Sequence, residues 1–111
     1  MSGALYFPDA KNPADIDDWI LDLSGALAAP GPLSSATTYD TITGTPAITI
    51  TPNDLTASNI TLATGAGGAD TAVGFWLTGG TAGTIYQIVV AVQTAGGRDF
   101  DRTVYLRVAS L

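Results

Sequence analysis

From residue 36 onward, short Thr-rich and β-branched runs recur between clusters of Gly, Pro, Asn and Asp. Runs of this kind read as strands, because β-branched and aromatic side chains suit a pleated, half-buried surface. The pattern predicts strands over Ala36–Ile42, Pro46–Thr51, Asn59–Ala63, Val73–Thr78, Thr84–Thr94 and Phe100–Ala109. Between them lie turn clusters: Gly44-Thr45-Pro46, Pro52-Asn53-Asp54, Gly65-Ala66-Gly67-Gly68, Gly79-Gly80-Thr81-Ala82-Gly83 and Ala95-Gly96-Gly97. Short strands at such even spacing indicate an all-β sandwich or a small barrel. No internal repeat and no second domain interrupts the series.

The first part of the chain follows a different pattern. Residues 1–15 hold two prolines, one Lys and little periodicity, so they read as an arm preceding a single domain over 16–111. Residues 16–27 fit two periods. Ile16, Trp19, Ile20, Leu23 and Leu27 have helical spacing, with Asn12-Pro13 as a helix start. Trp19, Leu21 and Leu23 equally form one face of a strand. Our reading favours a short turn over 13–18 leading into a strand over 19–24.

The last hairpin can be argued residue by residue. A two-residue Gly96-Gly97 turn would pair Val90 with Thr103 and set the apolar stripe Tyr86, Ile88, Val90, Val92 against polar positions. A three-residue loop, Ala95-Gly96-Gly97, pairs Val92 with Phe100, Ile88 with Val104 and Tyr86 with Leu106, so both apolar stripes share one face. Gly97 then takes the left-handed position that such a loop requires. The three-residue loop is therefore expected. It places Val89, Ala91, Thr103 and Tyr105 on the opposite face, flanked by Gln87, Gln93 and Arg107. That nearly uncharged surface fits plain solvated sheet, a second packed layer or a protein-contact face.

Composition narrows the chemistry. Hydrophobic residues make up 46% of the 111 and charged residues 13%, enough apolar content for one core without staples. There is no Cys and no His, which removes disulfides, thiolate ligands and the usual base of a nucleophilic triad. With a net charge of −6 and only Lys11, Arg98, Arg102 and Arg107 basic, phosphate neutralisation lacks its residues, so nucleic acid is not an expected partner. All ten acidic residues are Asp, which suits turns and caps over helix interiors. The N-terminus lacks the basic and long apolar regions of a signal peptide. The uncharged stretch from Thr71 to Gly97 is broken by Gly79, Gly80 and Gly83, so it reads as two strands and a turn and not as a membrane span.

Candidate chemical sites are weak. Asp9, Asp15, Asp17, Asp18 and Asp22 form an acidic cluster, but Asp15-Ile16-Asp17-Asp18 has neither the turn Gly nor the terminal Glu of a calcium loop. Capping and solvated charge explain it, and no metal site is expected. Some Asp pair could meet the two-carboxylate requirement of a glycosidase by chance alone. The Gly-rich clusters lack the Gly-Lys-Ser/Thr ending of a phosphate loop. Trp19 and Trp76 could stack on a sugar. Trp76, inside the apolar run Phe75-Trp76-Leu77, reads instead as a core residue. No catalytic residue and no cofactor are expected.

The order of these pieces carries a resemblance. Tyr6-Phe7-Pro8-Asp9-Ala10-Lys11-Asn12-Pro13 precedes Trp19-Ile20-Leu21-Asp22-Leu23-Ser24-Gly25-Ala26-Leu27. Trp76-Leu77-Thr78-Gly79-Gly80-Thr81-Ala82-Gly83-Thr84-Ile85-Tyr86 and Thr94-Ala95-Gly96-Gly97-Arg98 follow, closed by Asp101-Arg102 and Leu106-Arg107-Val108. The chain resembles small tailed-bacteriophage virion proteins of the fibre–tail adaptor or head–tail structural type. Residues 30–70 match this pattern least.

The resemblance implies an immunoglobulin-like β-sandwich behind an extended N-terminal arm, and no enzyme. It implies a structural protein of the virion, made in the host cytoplasm and present in multiple copies, placed near the head–tail junction to attach fibres or tail parts. Its partners would be other virion proteins (portal, adaptor, tail, fibre or capsid), with no membrane. Two alternatives stand beside it: a capsid decoration protein, and a carbohydrate-binding module of a receptor-binding assembly, which exposed Trp19 and Tyr39 would favour. Candidate protein-contact residues are Leu5, Tyr6 and Phe7 of the arm, with Val89 and Tyr105 of the sheet. Extended, the arm spans about 50 Å at ~3.3 Å per residue, enough to reach a neighbouring subunit. The other placement folds it back onto its own sandwich.

Overall fold

The computed structural model describes residues 5–28 and 39–111. Among them run β1 (Leu5–Tyr6), β2 (Asp17–Asp22), the single helical turn α1 (Ser24–Leu27), β3 (Ile42–Thr51), β4 (Leu55–Gly65), β5 (Gly68–Gly79), β6 (Thr84–Thr94) and β7 (Asp99–Val108). The protein is all-β. One sheet has the order β1-β7-β6-β3 and the other β2-β5-β4. Every pairing is antiparallel except that of β1 with β7. Among the described residues no helix is long and apolar enough to cross a membrane.

Period-two alternation builds the core. On β6, Tyr86, Ile88, Val90 and Val92 are buried, and on β7 Val104, Leu106 and Val108 join them. Leu21, Val73, Phe75 and Leu77 of the other sheet belong to the same cluster, so the two sheets face each other across one core. Each such side chain contributes roughly 1.5–3 kcal/mol on full burial. The β6–β7 register is the one expected from a three-residue loop: Val92 faces Phe100, Ile88 faces Val104 and Tyr86 faces Leu106. Gly97 has φ +91°, a conformation open to Gly at no steric cost.

Three expectations need correction. Trp76 is not a core residue: it remains 40% exposed, while Phe75 beside it is 1% exposed. On the central strand β5 the inward positions are Val73, Phe75 and Leu77, so alternation turns Trp76 outward. Gly44-Thr45-Pro46 is not a turn between strands. β3 runs through it with a shift of register between Thr43 and Ala47, and the edge position of β3 tolerates a proline without an N–H. Of the strand expected over Ala36–Ile42, residues 36–38 lie outside the described residues, Tyr39 makes an isolated bridge to Ala28, and Ile42 opens β3.

Residues 16–28 divide between the two periods. The strand starts at Asp17, inside the turn expected over 13–18, and pairs with β5 from Asp17–Leu77 to Asp22–Ala72. Leu23 and Leu27, four apart, then bury themselves on either end of α1.

The segment before β2 runs along β7. Leu5 and Tyr6 pair with Val104 and Tyr105, the Phe7 amide donates to the Tyr105 carbonyl at 2.9 Å, and the Lys11 amide donates to the Arg107 carbonyl at 2.9 Å. The Lys11 side chain is fully buried. Its Nζ donates to the carbonyls of Gly79 at 2.8 Å and Asn12 at 2.9 Å, which ties this segment to the β5–β6 connection.

Candidate protein-contact surfaces

The outward face of the four-stranded sheet is built row by row. Tyr6, Tyr105, Gln87 and Thr51 lie opposite one another across β1, β7, β6 and β3, and the next row holds Thr103, Val89 and Thr49. Tyr6 is 60% exposed, with its ring centroid 5.2 Å from that of Tyr105. Val89 and Tyr105 are half-buried. The structure therefore brings Tyr6, Tyr105 and Val89 to one face. Leu5 precedes Tyr6 on β1, in register with Val104. Phe7 goes elsewhere: it packs on Trp19 at 4.9 Å and on Phe75 at 6.2 Å between ring centroids, at the margin of the core.

A second surface, which sequence reasoning missed, covers the three-stranded sheet. Asp18, Trp76 and Ser58 form one row, Ile20, Gly74 and Thr61 the next, and Asp22, Ala72 and Ala63 the third. Trp76 and the 57%-exposed Ile20 stand over this floor of small residues and line a depression of about 600 Å³. A signal was present in Ala72, Gly74 and Trp76. They alternate with Val73, Phe75 and Leu77, and two small residues on the tryptophan's own face argue against that face being the core.

Three aspartates fasten loops. Asp22 accepts from the Ser24 hydroxyl and amide and from the Ala66 amide, holding the β4–β5 turn against α1. Asp40 accepts from the Thr94 hydroxyl at 2.6 Å and from the amides of Thr41 and Gly96, each at 2.9 Å, with Arg98 Nε at 3.6 Å. Asp54 accepts from the Thr81 hydroxyl at 2.7 Å. Each carboxyl is held below the ordinary aspartate range by bonds to its ionised form. The leading cause is the Ser24 hydroxyl for Asp22, the Thr94 hydroxyl for Asp40 and the Thr81 hydroxyl for Asp54, with the Tyr86 hydroxyl second there. Among the described residues no three acidic side chains converge as a metal site would need.

The other aromatic candidates serve the fold. Trp19 Nε1 donates to Asp17 at 2.7 Å while its ring packs on Phe7. Tyr39 is half-buried, with its ring over Gly67, where an added Cβ would come within 2.5 Å of it. Neither is an open platform for a sugar.

A family model described as podophage GP4 fiber-tail adaptor protein gp77 matches residues 11–107. No curated protein matches the chain.

Proposed function

The chain belongs to the podophage GP4 fiber-tail adaptor family, and from that premise we propose that it is a non-enzymatic structural component of a tailed-phage virion that joins fibres to the tail near the head–tail junction. The observation that carries this reading is the family match, which spans residues 11–107 and thus both sheets. The outward face of the four-stranded sheet fits the role. Tyr6, Val89 and Tyr105 form an aromatic and aliphatic patch, and aromatic residues are enriched where proteins meet. Multiple copies per particle follow from a place in a symmetric assembly.

We read the fold as immunoglobulin-like. The orders β2-β5-β4 and β7-β6-β3 correspond to the B-E-D and G-F-C strands of that architecture. Tyr86, near the start of β6, accepts a hydrogen bond on its hydroxyl from the Thr81 amide at 2.7 Å. A tyrosine at this corner, bonded to backbone a few residues upstream, is a hallmark of such sandwiches.

Phage produced without this protein tests the reading. Particles with filled heads that lack fibres are the expected product, and fibre-bearing particles would overturn the adaptor role. A Tyr6→Ser, Tyr105→Ser double variant addresses the surface. Fewer copies per particle, with an unchanged melting temperature, supports it, and full incorporation refutes it.

A further inference from the structure

The three strands of the smaller sheet carry Asp17, Asp18, Asp22 and Asp70 and no Lys or Arg. At the centre of their outward face stand Trp76 and Ile20, over the floor left by Gly74. We infer that this face docks a different protein of the particle, one offering an arginine or lysine beside an apolar side chain. The inference rests on the adaptor reading and names a second contact, on the side of the molecule opposite Tyr6 and Tyr105.

Charge selects the occupant. A surface whose only charges are carboxylates repels an acidic partner and gains from a basic one. Asp18 sits in register with Trp76, so a guanidinium reaching that carboxylate can also lie over the indole face, where cation–π attraction adds to the ion pair. The apolar companion would fill the depression of about 600 Å³ beside Ile20, and tryptophan is among the residues enriched in interface hot spots.

A second copy of this chain fits less well. Its four basic residues are Lys11, Arg98, Arg102 and Arg107. Lys11 is buried, Arg98 is held by Asp40 and the Ala26 carbonyl, and Arg102 lies over its own Phe100 ring at 4.8 Å. Arg107 lies in register with the exposed Ile85 on β6, with Asp99 and Asp101 farther along the same face. Self-association of the purified wild-type chain that Asp18→Lys abolishes would make the occupant a second copy and overturn a different protein.

The test uses the purified full chain and two probes: the purified fibre protein of the same phage, and purified particles made without this chain. Affinity for each is measured at low and high salt for wild type, Trp76→Ala, Asp18→Lys and, as a control, the exposed Thr45→Ala. At least one probe should bind wild type more weakly as salt rises. Trp76→Ala should weaken that binding by about 30-fold or more, Asp18→Lys should weaken it too, and the Thr45→Ala control should not. If Trp76→Ala fails to fold, Asp18→Lys, on an exposed edge strand, decides alone. Wild-type binding left intact in the Asp18 and Trp76 variants overturns this inference and leaves the adaptor reading standing. Binding to neither probe overturns both. Competition by N-acetylglucosamine would make the depression a sugar site and overturn the protein partner.

Discussion

Replacing Phe75 and Trp76 by alanine, one at a time, separates two side chains that are neighbours in sequence and face opposite ways. Phe75 is 1% exposed and touches Phe7 and the central cluster. Its truncation removes transfer free energy and leaves a cavity between two sheets, a loss of about 3–5 kcal/mol. Trp76 is 40% exposed. Taking an indole as about 200 Å², roughly 120 Å² is covered, an upper bound near 3 kcal/mol at about 25 cal/mol per Å². Residual burial in the unfolded chain lowers that to about 2 kcal/mol, and no internal cavity opens. At about 4 °C per kcal/mol for a domain of this size, Phe75→Ala should lose roughly 12–20 °C and Trp76→Ala no more than about 8 °C. Thermal melts by circular dichroism, with urea titrations for the free energies, give both values under one set of conditions. If Trp76→Ala falls as far as Phe75→Ala, the β5 register described above is wrong and the tryptophan belongs to the core.

Other expectations follow from the loops and the buried lysine. Because Asp22, Asp40 and Asp54 have lowered carboxyl pKa values when folded, their stabilisation is complete above the ordinary value near 3.8 and is lost as pH falls through the lowered folded values. The melting temperature should therefore hold from neutral pH to about 5 and drop below about 4, less steeply in an Asp22→Asn, Asp40→Asn, Asp54→Asn variant; equal slopes would refute the loop-fastening role. Gly97 has φ +91° with open space where a Cβ would sit, so Gly97→Ala should cost about 1–2 kcal/mol through backbone strain alone, read by urea titration; a neutral substitution would count against the left-handed turn. Lys11→Ala removes the donor to the Gly79 and Asn12 carbonyls, and exchange of the amides at positions 7 and 11, which donate to the Tyr105 and Arg107 carbonyls, should accelerate. Unchanged protection would mean that backbone pairing with β7 alone holds the segment.

The features legible in the chain alone are local and periodic. Tyr86, Ile88, Val90 and Val92 could meet Phe100, Val104 and Leu106 on one face only through a three-residue loop, and a glycine stood where that loop needs a left-handed residue. Period and turn chemistry act within about 20 residues of chain, so the hairpin was legible, and with it the common face of Val89 and Tyr105. Tertiary pairing decided the rest. In Val73-Gly74-Phe75-Trp76-Leu77 either parity of a mostly apolar run could face inward, and only packing against the opposing sheet set which one does. Pro46 resembled a strand boundary because nothing local marks β3 as an edge, where a missing N–H goes unneeded. No periodicity announces that Tyr6 will align with Tyr105, ninety-nine positions on, or that the one lysine of the chain will be buried. Both depend on a parallel contact between the two ends of the chain, and contacts so distant in sequence are set by the shape and hydrogen-bonding needs of the folded sheet's edge.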